Sequence, residues 1–170
     1  PGFEHARCDT PVSLLDLSVT LLDCFGLDAA KVLPDATGQS LHSIARRPFD
    51  ADRFVFSEYH AVGSNSAGFM LRNGRWKYHH YVRHQPELFD LSNDPEETPN
   101  LATRADHRDI LDKMEGELRA ICDPEEVDRR AKADQAALIA RHGGAQAAFD
   151  LGRAVAGGTP APDSKPEEVA

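Results

Sequence analysis

At 170 residues, 41% of them hydrophobic, the chain is long enough for one domain, or one large piece of a domain, with a real core. Its formal charge of -9 makes the mean field negative, which argues against nucleic acid or an anionic membrane as a partner, since both need a positive surface. Cys8, Cys24 and Cys122 show no C-x-x-C spacing, so neither a disulfide framework nor a zinc knuckle is expected; a reducing, cytoplasmic setting or plain buried thiols is the reading. No run approaches the roughly 18 apolar residues of a membrane span, and the start PGFEHARCDT has no basic-then-apolar signal pattern. That start also lacks a methionine, which suggests a piece of something longer.

In chain order, PVSLLDLSVTLLDCFGLD predicts a short strand at about 12–15 and then a helix from Asp16 to Phe25, ended by Gly26 as a C-cap. Residues 28–52 hold Pro34, Gly38 and Pro48 among polar residues and read as a connector outside the core, with one helical turn at SLHSIARR. RFVFSEY alternates and suits a strand. AGFMLR and RWKYHHYV flank Asn73-Gly74, a hairpin signal because both turn positions tolerate positive φ. ELFDL adds a further strand before the turn cluster SNDPEETP. The expectation is an antiparallel sheet of about four strands in an α+β fold.

The run RWKYHHYVRH carries three of the eight histidines. On a strand, Trp76, Tyr78, His80 and Val82 share one face while Arg75, Lys77, His79 and Tyr81 share the other. His79 and His80 therefore point in opposite directions and cannot both ligate one ion from a regular strand, so they are read as structural, and Trp76 as core.

TRADHRDILDKMEGELRAIC opens with a capping box, Thr103 with Asp106, and places Ile110, Leu111, Met114, Leu118 and Ile121 on one stripe that should cross the sheet. DPEEVDRRAKADQAALIARHGG follows, with Asp123 as N-cap, Pro124 at the first helical position and Gly143-Gly144 as the stop. Its apolar face is thin and mostly alanine, which suits an arm along a partner. From AGGTPAPDSKPEEVA onward the composition predicts a flexible tail.

The segments PVSLLDLSVTLLDCFGL, GQSL, FVFSEYH, FMLRNGRWKYHHYV and ELFDLSNDPEETPNLA, in this order over residues 10–122, resemble the C-terminal part of the type I sulfatases in the alkaline phosphatase superfamily. SEYHAVGSNSAGFMLRNGRWKYHHYV followed by ICDPEEVDRRAKADQAALIARHGG resembles the choline sulfatase branch in particular. The resemblance implies a division into the end of a catalytic α/β domain with its last strand and helix (1–52), a C-terminal subdomain with a covering helix (53–122), a helical extension (123–158) and a tail (159–170). It also implies a sulfate ester hydrolase, in which a formylglycine made from Cys or Ser in a C/S-x-P/A-x-R motif attacks sulfur beside a calcium held by Asp and Asn.

Cys8 and Cys24 fail that motif, and Cys122 heads CDPEE, with glutamate where arginine is required. SIARR, residues 43–47, fits the serine form literally but sits in the connector, without an upstream Asp-Asp pair, and is not taken as the nucleophile. No catalytic residue or metal ligand is therefore expected in this chain; calcium and formylglycine belong to the intact enzyme, neither bound by this piece. The role left to it is contact with choline sulfate or a similar small sulfate ester through the loop HAVGSNS: His60 would orient the ester or its leaving group, with Ser64 and Asn65 adding hydrogen bonds. The implied partners are the missing N-terminal catalytic domain and a second copy of the chain, met through the helical arm. The rival readings are a phosphonate or phosphate ester hydrolase of the same superfamily, a non-catalytic interaction module and a stand-alone metal-binding protein.

Overall fold

The computed structural model describes residues 7–60 and 64–155, and divides the chain into one unit ending at Asp128 and a second beginning at Arg129. The first unit is built on a meander of four antiparallel strands, β1 (Val55–Tyr59), β2 (Gly68–Arg72), β3 (Trp76–Tyr81) and β4 (Glu87–Asp90), neighbours in chain order. The register sets Leu71 opposite Tyr78 and Tyr78 opposite Leu88, so residues of one pleat face meet across three strands. That face, with Phe69, Leu71, Tyr78, Val82 and Leu88, is buried against Met114 and Leu118 of helix α4 (Arg108–Ile121) and against Leu101. Each of the aliphatic, Phe and Met side chains among them contributes about 1.5–3 kcal/mol through burial. The expected α+β sheet with a covering helix is what the chain forms.

The hairpin between β2 and β3 stands where Asn73-Gly74 placed it, for a different reason. Neither residue has positive φ. Instead the Asn73 side-chain oxygen accepts from the N–H groups of Arg75 (3.0 Å) and Trp76 (2.7 Å), closing the turn by itself. Gly74 is required by a close approach: a Cβ there would lie 2.9 Å from the Ala51 Cα and the Phe49 ring.

Upstream of the sheet lie helices α1 (Leu14–Cys24), α2 (Ala29–Val32) and α3 (Leu41–Ala45). The strand expected at 12–15 is absent. Ser13 and Asp16 form a reciprocal capping box, which satisfies the first amides and starts the helix at Leu14. The connector is also better anchored than its composition suggests, since Ile44 is buried and the Thr20 hydroxyl, which donates to the Asp16 carbonyl at 2.6 Å, accepts from Leu41 N–H at 2.8 Å.

The start of α4 departs from expectation in the same way. A 3-10 turn, Ala105–His107, precedes it, and no side chain caps it. The Asp106 carboxylate that was to answer Thr103 is held by Arg104 and His107 instead. Of the expected stripe, Met114 and Leu118 are fully buried and Ile110 and Leu111 partly so, but Ile121 is exposed at the helix end. Helix α5 (Pro124–Arg141) begins as read, with Asp123 accepting from Glu126 N–H at 3.1 Å. Gly143 and Gly144 take φ of +86° and +97°, ending α5, and a further helix α6 (Ala145–Val155) follows within the expected helical extension. The expected tail, 159–170, lies outside the described residues.

Candidate functional site

Tyr59 of β1 pairs with Gly68 of β2, so the chain leaving β1 at His60 and the chain entering β2 through Ser64–Ala67 meet at one end of the sheet. Residues 61–63 lie outside the described residues. All three candidate substrate contacts therefore share this end. His60 is half-buried, its ring edge-on to Phe69 at 5.6 Å and its Nε2 3.6 Å from a Glu58 carboxylate oxygen. Ser64 and Asn65 are exposed, and the Ser64 hydroxyl donates to the Ser66 carbonyl. Ser66 and Ala67 are buried directly behind them.

What holds this end is a residue that sequence reasoning did not single out. The Ala67 N–H donates at 2.8 Å to the carboxylate of Asp128, on the second turn of α5, while the Ala67 carbonyl accepts from Val82 N–H at 3.1 Å. Asp128 is 6% exposed, and an Arg83 guanidinium nitrogen stands 3.9 Å from it. Arg83 occupies the turn after β3 with φ of +66°. In the sequence Asp128 is one more polar residue on a helix that looked alanine-faced; no local signal marks it.

The paired histidines are placed as their alternation requires. His80, on the core face, sets Nδ1 3.1 Å from Glu115 of α4 and Nε2 3.8 Å from Glu125 of α5. The Tyr78 hydroxyl donates to the same Glu115, and burial together with that carboxylate pushes the Tyr78 phenol well above its usual range. Burial would raise Glu115, but the Tyr78 hydroxyl and Arg119 outweigh it and hold the carboxyl below its ordinary value. Arg119 also binds Glu125 through two nitrogens, each at 2.9 Å, and holds that carboxyl at about 2. His79, on the opposite face, stacks on Tyr81 at 6.0 Å, and its pKa is lowered by burial and by Lys77. This is a polar seam that locks α4 and the start of α5 to the sheet. Trp76 packs partly buried against the core, with the Arg75 guanidinium 4.6 Å over its ring.

The other chemistry-bearing residues are scattered. Cys8 and Cys24 are exposed and Cys122 is half-buried, all three as free thiols, which corrects the expectation of buried ones. The Cys122 thiol is pushed up by burial and by Glu58 and Asp123, the opposite of what activates a nucleophile. Ser43 of SIARR sits on α3 and lines a shallow groove with Asp23, Ser40, Arg46 and Arg47. Among the described residues no three His, Cys, Asp or Glu side chains gather as a metal site.

Away from the sheet, α1 exposes a broad apolar surface. Leu14 is 86% exposed and Phe25 78%, and Val12, Leu15, Leu17, Leu21 and Leu27 are each about half exposed or more. Apolar side chains left this open are candidates for contact with another chain or domain. No helix among the described residues is long and apolar enough to cross a membrane.

Comparison with known proteins supplies the family. Residues 4–123 match the family described as N-sulphoglucosamine sulphohydrolase, C-terminal. The chain belongs to the sulfatase family, as a C-terminal domain. Arylsulfatase K of Mus musculus is 34% identical over 133 residues, 71% of this chain and 23% of that protein. Arylsulfatase K of Danio rerio is 34% identical over 137 residues, 75% of this chain and 24% of that protein. Among solved structures, a candidate sulfatase from Bacteroides thetaiotaomicron is 31% identical with a TM-score of 0.51, covering 71% of this chain and 25% of its own. A 2-O GAG sulfatase is likewise 31% identical, with a TM-score of 0.50 over the same shares. The sulfatase C-terminal domain thus spans about a quarter of the length of the relatives it matches. The choline sulfatase branch is not singled out by these relatives.

Proposed function

We propose that this domain is the C-terminal scaffold of a sulfate ester hydrolase and that it offers His60, Ser64 and Asn65 to the substrate. The observation that carries the reading is the family match over residues 4–123. The nucleophile, as formylglycine, and the calcium are contributed by a catalytic part outside this chain, and the open apolar face of α1 is where that part packs. At the far end of the sheet His60, held against Phe69 and beside Glu58, orients the ester or its leaving group, while the exposed Ser64 and Asn65 supply hydrogen bonds. The second unit, with Leu138, Ile139 and Phe149 exposed, forms the arm that meets a second copy of the chain. Light scattering of the intact enzyme without residues 129–170 tests the arm, an unchanged mass speaking against it.

The relatives support an aryl sulfate or a sugar 2-O-sulfate as the esters to try first. A small ester such as choline sulfate is the second reading; it rests on the run from SEYH to YHHYV and on the acidic charge of -9, which disfavours a polyanionic glycan. The deciding experiment measures inorganic sulfate release by the intact enzyme from an aryl sulfate, a 2-O-sulfated disaccharide and choline sulfate, beside phosphate and phosphonate monoesters as controls. Sulfate release with kcat/KM well above that for the phosphorus esters is expected. Preference for a phosphorus ester overturns the sulfatase reading, and His60→Ala with unchanged kinetics on the best ester removes His60 from it.

A further inference from the structure

Ala67 stands one residue before β2, where the ladder to β1 ends at the Tyr59–Gly68 pair. Its buried N–H is met by a carboxylate from 61 residues away. Helix α5, which carries this acceptor, begins at Pro124, just past the end of the matched family domain at residue 123. We propose that Asp128 is a positioning residue, which fixes the Ser64–Ala67 segment so that Ser64 and Asn65 face the substrate. The proposal rests on the reading that these two side chains contact substrate.

The chain of contacts is short and each link is directional. A buried amide without an acceptor is costly, and a carboxylate is a stronger acceptor than a neutral group, so the Ala67 position follows Asp128. The Ser66 carbonyl, one residue earlier, accepts from the Ser64 hydroxyl and turns the exposed end back on the anchored one. Ser64 and Asn65 are therefore separated from the anchor by no more than three residues. Asp128 itself has little freedom: it is buried, the Arg83 guanidinium stands beside it, and one turn earlier Glu125 is clamped by Arg119 while Pro124 is fully buried. Helix α5 thus adds a second tie to the start of a segment that the sheet holds only through the bond from Val82 N–H to the Ala67 carbonyl. A displacement on the order of 1 Å at a substrate contact is enough to change binding or rate by large factors.

The test uses the intact enzyme with its best sulfate ester, reading kcat, KM and the hydrogen exchange of the Ala67 and Gly68 amides in parallel. Asp128→Ala should raise KM about tenfold, change kcat less than about twofold, and speed exchange at Ala67 at least about tenfold. Asp128→Asn keeps an acceptor oxygen at the same reach and should restore both readouts to near the unaltered values. If Asp128→Ala does not fold, Asp128→Glu replaces it with the same expectation, since it keeps the charge but moves the acceptor by a methylene. Unchanged exchange at Ala67 overturns the positioning role whatever the kinetics do. Fast exchange with unchanged KM also overturns the proposal, and Asn65→Ala then locates the fault. An Asn65→Ala enzyme with normal KM shows that the segment does not face substrate, whereas a raised KM shows that it does and that Asp128 does not set it.

Discussion

Replacing Asp16 by Asn should release α1 from the rest of the domain. Its carboxylate, 1% exposed, accepts from Ser13 N–H at 2.7 Å and Gln39 N–H at 2.8 Å, and takes one Arg53 guanidinium nitrogen at 2.8 and 3.0 Å. Burial raises its pKa, but the two backbone amides and Arg53 together outweigh this and leave it lowered. Asn keeps the shape and one acceptor but turns an N–H₂ group toward donors, and it leaves the Arg53 guanidinium, 16% exposed, without its counter-charge. Breaking a buried pair in this way costs about 3–5 kcal/mol. At about 1.4 kcal/mol per tenfold, a loss near 3 kcal/mol is about a hundredfold in the opening equilibrium. Hydrogen exchange of the Leu17–Leu22 amides, measured on dilute chain, should quicken by about that factor, while the sheet amides around Leu71 change far less. Arg53→Met alone should give a similar effect, and the double variant should fall short of the sum by at least about 1 kcal/mol. Rates within about threefold of the unaltered chain, or strict additivity, would refute the claim that this pair ties α1 to the sheet.

Asp90 gives a pH signature. Its side-chain bond to Arg75 outweighs burial and, with Asn93 and Ser92, holds the carboxyl at about 2 against an ordinary 3.8, so its contribution is complete above about pH 4 and lost as pH falls toward 2. Because Arg75 is half exposed, the contribution is discounted to about 1–2 kcal/mol; urea midpoints from pH 7 to 2 should show it, and Asp90→Asn should remove that share of the slope. Introducing charge on the α1 face through Leu14→Glu and Phe25→Glu should lower self-association of the isolated chain by light scattering at high concentration. An unchanged apparent mass, or a chain that is already monomeric, would speak against that face as an interaction surface.

The sheet was legible because its signals are local. Alternation over β1 to β4, the turn clusters between them and the Asp123-Pro124 opening of α5 all lie within a few residues of what they specify. The failures have two causes, one local and one not. Val12–Leu15 reads as a strand by composition, but the Ser13–Asp16 capping box is a four-residue device that outweighs it. Asn73-Gly74 announced the hairpin correctly, yet Gly74 is fixed by Ala51 and Phe49, which no turn rule contains. Asp16 reaches Gln39 over 23 residues and Arg53 over 37, and Asp128 reaches Ala67 over 61, so their roles exist only after the chain has folded. The three site candidates were selected as a polar loop, a pattern that cannot tell an outward Asn65 from a His60 lodged against Phe69.

The positions of these features along β1 constrain how the proposed enzyme is assembled. The connector meets the sheet where β1 begins: Ala51 O accepts from Gly74 N–H at 2.9 Å, and Arg53 holds Asp16 of α1. Ser64 and Asn65 follow from the other end, beyond the Tyr59–Gly68 pair. Five strand residues at about 3.3 Å each put about 17 Å between the two ends, a distance the hydrogen-bonded ladder keeps fixed. On the proposed reading, a catalytic part that packs on α1 and also meets the candidate contacts spans that length, and the sheet offers β1, an edge strand, along it. Tyr59 agrees with this, since a large aromatic left 54% exposed at the far end of an edge strand is the kind of surface that a neighbouring domain covers.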